Sequence, residues 1–296
     1  MIDPAHRITA FVHEHLAGQG LPMQRAGVGH WLLGVTNHHT TLISARLLTD
    51  WLVLETAAQH PLGEDAGWQF LDANRRLGDG IKFVLTPTEQ QLSLRGELPL
   101  EPRDDTDGDR FARDIRAFWD RFEAARQSFS HAATNAETSF DASTPQPLNR
   151  AEEGVPNCVT LCEAAGWSAT ARSGKTAVVP LDVPQGHFQA VLEQEDDGAL
   201  RTAVELSPIG TLSAACRQSV GRLMLTASGV VRYARAFSGQ DQVGFEVLLG
   251  RIPTAARLAA GLSALSVACR LCGQEVAALM NDAVASAYVQ VRGWSS

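Results

Sequence analysis

The stretch Ser173-Gly174-Lys175-Thr176 has the residue types that close a phosphate-binding loop, where backbone N–H groups and a lysine cradle phosphates. Such a loop needs an earlier glycine where this chain has Ala169, and a helix where it has the apolar run AVVPLDV. A hairpin turn is the expectation. Cys158 and Cys162 lie four residues apart and Cys269 and Cys272 three apart, spacings that put each pair on one helical face, where two thiolates could share a zinc ion. Packing of the first helix of the second half on the last could then assemble a four-cysteine centre. Each cysteine sits on an Ala, Leu or Val face, however, and a free cysteine packs as a small apolar residue, so core packing is expected and no metal or cofactor. His13 and His15 point about 200° apart on a helix and cannot share an ion from it. Asn37-His38-His39 reads as a polar hairpin tip. Ser143, Asp141 and His131 fall in a linker and make no triad, and neither a nucleophile elbow nor an HExxH stands out. A non-enzymatic protein is expected.

The elements that would position any site follow from composition and periodicity. A chain of 296 residues, 45% hydrophobic and 20% charged, is long enough for two domains, each with its own core. A net charge of −8 without a basic cluster argues against nucleic acid, since such binders neutralise phosphates. The opening MIDPAHRITAFVHEHLAG carries Asp3, Pro4 and two histidines and does not resemble a signal peptide. No window approaches about 18 uncharged apolar residues, so no membrane span is expected. All five cysteines lie in the second half, an odd number that suits reduced thiols and a cytoplasmic location.

Read in order, the first half opens with a helix whose Ile8, Phe11, Val12 and Leu16 share a face. Three β-rich runs at 30–36, 40–48 and 51–58 follow, separated by segments short enough to be hairpin turns. A crossover helix at 64–77 has acids in its first turn and arginines in its last. A strand pair at 81–98 and a helix at 108–129, with Phe111, Ile115, Phe118, Trp119 and Phe122 at helical spacing, close the half.

Residues 130–156, rich in Ser, Thr, Ala and Pro, read as a linker between a domain at 1–129 and a second at 157–296. The second half repeats the order: a short helix capped by Asn157, continued by a strand and turn over 167–176, then a meander over 176–206, a crossover helix over 211–227, a hairpin over 230–249 and a long helix from Thr254. Lys82-Phe83 aligns with Arg232-Tyr233 at a shift of 150, and Leu92 to Leu94 with Val243 to Phe245 at 151. An internal duplication is the expectation. The fold class is α+β: two tandem α-β-β-β-α-β-β-α units, with antiparallel sheets packed on helices.

That order, carried by 30–58, 64–77, 81–98 and 108–129 and by 176–206, 211–227, 230–249 and 254–289, resembles the class I type III secretion chaperones and the related YbjN-like proteins. The resemblance lies in topology, length and acidity and includes no diagnostic residue motif. It implies an acidic cytoplasmic protein that binds an extended segment of a client or effector protein without ATP and without chemistry. Members of the family are homodimers, so a chain with two copies would be a covalent pseudo-dimer, and a further homodimer of such chains is left open. The alternatives are a regulatory or sensor subunit of a bacterial signalling or defence assembly and an enzyme using the second-half cysteines. Aromatic candidates for touching a partner are Trp31, Trp51 and Phe83 in the first sheet and Phe188, Tyr233 and Phe245 in the second, although one face of each sheet must pack on helices.

Overall fold

The computed structural model describes residues 4–37, 39–49, 51–61, 66–86, 91–100, 108–134, 157–195, 198–210, 212–239, 242–250 and 253–293. Their order is α1 (Pro4–Ala17), β1 (Met23–Gly27), β2 (His30–Asn37), β3 (His39–Leu48), β4 (Trp51–Pro61), α2 (Ala66–Asn74), β5 (Ile81–Leu85), β6 (Gln91–Pro99) and α3 (Gly108–Thr134). Then come α4 (Cys158–Ala164), β7 (Thr170–Ala171), β8 (Thr176–Val183), β9 (Gly186–Gln194), β10 (Leu200–Pro208), α5 (Ala214–Val230), β11 (Arg235–Ser238), β12 (Gln242–Leu248), α6 (Ala255–Leu279) and α7 (Asp282–Val291). The class is α+β, with two antiparallel six-stranded sheets. The first runs β1-β2-β3-β4-β6-β5; the second, read from its β7 edge, runs β7-β8-β9-β10-β12-β11, the same order. The first sheet has one strand more than expected, the short edge strand β1; the short edge strand β7 falls within the strand and turn expected over 167–176, and the C-terminal helix is broken by a cap at Asn281, which accepts N–H bonds from Ala283 and Val284.

By compactness the chain divides into residues 1–59 with 93–141 and residues 60–92 with 142–296. The segment 60–92, expected in the first domain, thus goes with the second, and from residue 135 the expected linker lies outside the described residues.

In the first unit Trp31, Leu33, Ile43, Ala45, Leu52 and Leu54 are buried and by register share one sheet face, and α1 packs on α3. Phe11 meets Phe111 at 5.1 Å, joining the two helices. Gly96 lets α3 lie close on β6: a Cβ there would sit 2.8 Å from a ring carbon of Phe118 and 3.0 Å from one of Phe122. The opposite face carries a charged ladder, with Arg46 Nη2 donating to Glu55 Oε2 at 2.7 Å and Arg95 Nη2 to Glu55 at 3.2 Å.

In the second unit α4 and α6 cover the face of Ala177, Val179, Leu181, Ala190, Leu192, Val204 and Phe245. Here the sizes are exchanged. Val247 stands on β12 and the glycine is on the helix, where a Cβ at Gly261 would lie 3.2 Å from Val247 Cγ1. Helix α7 docks through Ala285 and Val289 on α5 and α6, and Cys216 Sγ donates to Asp282 Oδ1 at 3.0 Å.

Candidate functional site

The centre of the second unit is a polar junction between the segment α2–β5 and the segment α5–β11. Lys82 stands in a strand whose five residues are all buried, and is itself 1% exposed. Its Nζ donates to Val231 O at 2.7 Å and Ala234 O at 3.1 Å. Val231 is the C-cap of α5, where partial negative charge of the helix end favours a cation. Arg235, 3% exposed, answers from β11: its Nη1 donates to Leu77 O at 2.6 Å, Gly78 O at 3.2 Å and Ile81 O at 3.4 Å.

These bonds are reciprocal. Leu77 and Val231 are 154 positions apart, Ile81 and Ala234 are 153, and Lys82 and Arg235 are 153, so each basic residue binds the carbonyls at the other's equivalent positions. An isologous interface has this property, with i touching j and j touching i. The same shift recurs in the helix-to-strand ties: Asn74 Oδ1 accepts from Phe83 N at 2.6 Å and Ser228 Oγ from Ala236 N at 2.7 Å. It recurs in the backbone, where Gly80 has φ +72 and Tyr233 φ +71. It recurs at the helix crossing, where Gly67 and Gly221 face each other: a Cβ on Gly221 would lie 2.9 Å from Gly67 C and Trp68 N. Asn74 Nδ2 adds a bond across the junction to Ala236 O at 2.8 Å.

The register of these matching bonds differs in part from the sequence register. The shift of 151 at Leu92–Leu94 agrees with the matching bonds Thr86 N to Gln91 O and Gly239 N to Gln242 O, which mark the two hairpins. The shift of 150 at Lys82 does not hold, because α5 continues to Val230 and Tyr233 turns the chain before β11 begins at Arg235.

Charge in the junction is balanced by Glu246, fully buried on β12, whose Oε1 accepts from Arg235 Nε at 2.9 Å and lies 2.8 Å from Nη2 in the ion pair. Arg201 on β10 pairs with Glu195 at 2.6 Å and approaches Glu246 at 3.7 Å. A buried guanidinium is tolerated only when paired and hydrogen-bonded in this way. Lys82 Nζ and Arg235 Nη1 are spent on carbonyls of the opposite segment, so the junction acts as a rivet between the two segments, while Arg235 Nη2 and Glu246 Oε2 are buried without a hydrogen bond among the described residues. Sequence reasoning missed Asn74, Lys82, Ser228, Arg235 and Glu246; the usable signal was a single basic residue in each of two short apolar strands, IKFVL and RAFS.

Away from the junction, the second sheet presents the face opposite α4 and α6. Strand alternation and register set Val178 beside Val191 and Val191 beside Ala203, all half-buried, forming a small apolar row across three strands. Exposed Pro180, Gln189 and Glu205 flank it on one side and exposed Glu193 on the other. Asp182 and His187, opposite each other, pair at 2.6 Å.

The aromatic candidates divide by burial. Trp31, Phe83, Tyr233 and Phe245 are core residues, 0–5% exposed. Trp31 donates through Nε1 to His13 Nδ1 at 3.0 Å, and Phe83 meets Phe70 at 4.9 Å. Trp51 is half-buried beside Leu48, and half-buried Phe188 lies against Gly273 of α6, where a Cβ would come within 2.7 Å of its ring. The six are not brought together on one open surface.

The remaining motifs resolve simply. Ser173–Lys175 form the turn joining β7 to β8, with Ser173 Oγ accepting from Lys175 N. Helices α4 and α6 do pack, yet among the described residues no three His, Cys, Asp or Glu side chains gather to hold a metal ion. All five cysteines are buried and free, and burial pushes the thiol of Cys162 up to about 11 and those of Cys269 and Cys272 up to about 12. His13 accepts from Trp31, whereas His15 stacks on Phe11 at 6.2 Å; His38, Asp141 and Ser143 lie outside the described residues. One described helix, α6, is apolar and long enough to cross a membrane by length and composition, with 39% of its most apolar window buried. Compared with known proteins, the chain matches no family model, no curated protein and no solved structure.

Proposed function

We propose that this chain is a tandem pair of secretion-chaperone-like units that works in the cytoplasm as a non-enzymatic chaperone or adaptor, holding a segment of a client or effector protein. One observation carries the reading: Lys82 binds the carbonyls of Val231 and Ala234, and Arg235 binds those of Leu77 and Ile81, at equivalent positions. Reciprocity of this kind is what a symmetric dimer interface leaves behind when its two chains are fused. The resemblance implies that relatives build such an interface from two chains, and a fused version frees the two sheets to diverge. The outer face of β8–β10 then supplies client contact: an apolar row with acidic and amide neighbours suits a segment that is apolar on one side and polar or basic on the other.

The test is affinity capture from the native cytoplasm followed by mass spectrometry, using the whole chain and the variants Val191→Arg and Gln189→Arg, each first shown to melt like the parent. The expected result is one abundant co-purifying protein that both folded variants lose. A parent that captures nothing, or a partner that both variants retain, overturns the assignment of client binding to this face.

A further inference from the structure

Helix α6 has two unlike sides. Inward, Leu258, Leu262, Leu265, Cys269, Cys272 and Val276 are 0–2% exposed. Directly opposite, Val267 and Leu271 are 46% and 45% exposed, and exposed Gln274 and Ala278 continue their line, which closes toward the N-terminus at buried Ala264. Spacings of four and three residues alternate along this line, the seam of a short heptad pattern: Leu271 and Ala278 at a, Val267 and Gln274 at d. Helix α3, which holds the same place in the first half of the element order, instead turns Arg113, Arg116, Asp120 and Gln127 to solvent. An outward apolar line is therefore not a requirement of the fold.

The charges beside the seam say what covers it. Arg270 falls at g and Glu275 at the following e, both exposed. In a parallel two-stranded pair, g of one helix faces e of the other five residues on. Arg270 would then face the partner's Glu275, and Glu275 would face the partner's Arg270, giving two ion pairs by symmetry. An antiparallel pair sets like flanks together and forfeits both. We propose that the outward face of α6 is a self-association surface, on which a second copy of this chain packs its own α6 in parallel about a two-fold axis. This does not depend on the client reading, since the seam and the β8–β10 face are different surfaces.

Sedimentation equilibrium of the whole chain tests it, with far-UV circular dichroism to show that each variant stays folded. The expected species has the mass of two chains. Leu271→Glu should raise its dissociation constant about tenfold or more. Arg270→Glu or Glu275→Arg alone should raise it roughly threefold to tenfold, through two repulsive contacts per dimer, and the double variant should return it to within about twofold of the parent. Leu271→Cys should cross-link to itself on mild oxidation, as side-by-side a positions require. A monomer at all concentrations overturns the proposal, as does a dimer indifferent to Leu271→Glu or one in which the double charge variant fails to rescue. Vesicles of phosphatidylcholine and phosphatidylglycerol provide the competing outcome: a monomer that floats with them, and no longer does so as Leu271→Glu, assigns the face to lipid and overturns self-association.

Discussion

Replacing Gly221 with alanine sets two effects of opposite sign against each other. Both terms can be read from the helix crossing. In an open helix the change is favourable by about 1 kcal/mol, because alanine restricts the unfolded chain and prefers the helix. At Gly221 the new methyl would lie 2.9 Å from Gly67 C and Trp68 N, about 0.5 Å inside ordinary contact, and both atoms are backbone of α2. Backbone cannot rotate away, so the helices must separate, and overpacking of this kind costs roughly 1–3 kcal/mol, with the upper half of the range expected where neither side yields. The net is a destabilisation of about 1–2 kcal/mol. Gly273→Ala is the matched control, with an even shorter contact of 2.7 Å but against the ring end of half-buried Phe188, which can swing aside. That variant should fall within about 1 kcal/mol of the parent. Urea unfolding followed by circular dichroism measures both. Should Gly221→Ala prove as stable as the parent, or no less stable than Gly273→Ala, the close helix crossing at the junction is not real.

Removing one partner of the buried ion pair should be severe: Glu246→Gln leaves Arg235 and Arg201 undercompensated and should cost about 3–5 kcal/mol, seen as a lower urea midpoint. His15 is held below its usual pKa by burial, then by Arg116, with Asp120 opposing. A depressed histidine takes up its proton first in the unfolded chain, so its contribution to stability is lost as pH falls through the histidine range. The urea midpoint should therefore drop between about pH 7 and pH 5, and less steeply in His15→Gln. With burial raising the thiols, native protein should leave its five cysteines unmodified by a thiol reagent at neutral pH and release all five on denaturation.

Much of this fold is written in local pattern. The meander, the crossover helix and the hairpin are visible in each half because their apolar residues alternate or recur at helical spacing and short polar turns separate them. Strand β1 is not visible, since Met-Gln-Arg-Ala-Gly has no alternation and forms only by lying beside β2. The repeat register slips at Tyr233 because a position needing positive φ is glycine in one half, Gly80, and tyrosine in the other. Membership of 60–92 in the second unit is tertiary information: Lys82 inside an apolar strand has meaning only once the carbonyls of Val231 and Ala234 stand opposite it. The aromatic candidates show the same limit, as periodicity marks a residue as apolar without saying which face of its sheet stays open.

The exchange of sizes between the two units has a consequence for assembly. A chain whose halves share one element order risks laying each long helix on the wrong sheet. Phe118 and Phe122 need the bare backbone of Gly96, and Gly261 needs the branched Val247. Laid on β12, the rings of α3 would collide with Val247; laid on β6, Gly261 would face Gly96 across a gap the size of those rings, a void worth about 3–5 kcal/mol. Mismatched docking thus fails on both sides at once, and a pair of glycines, one on a strand and one on a helix, serves as a sorting code that keeps two similar halves from trading parts.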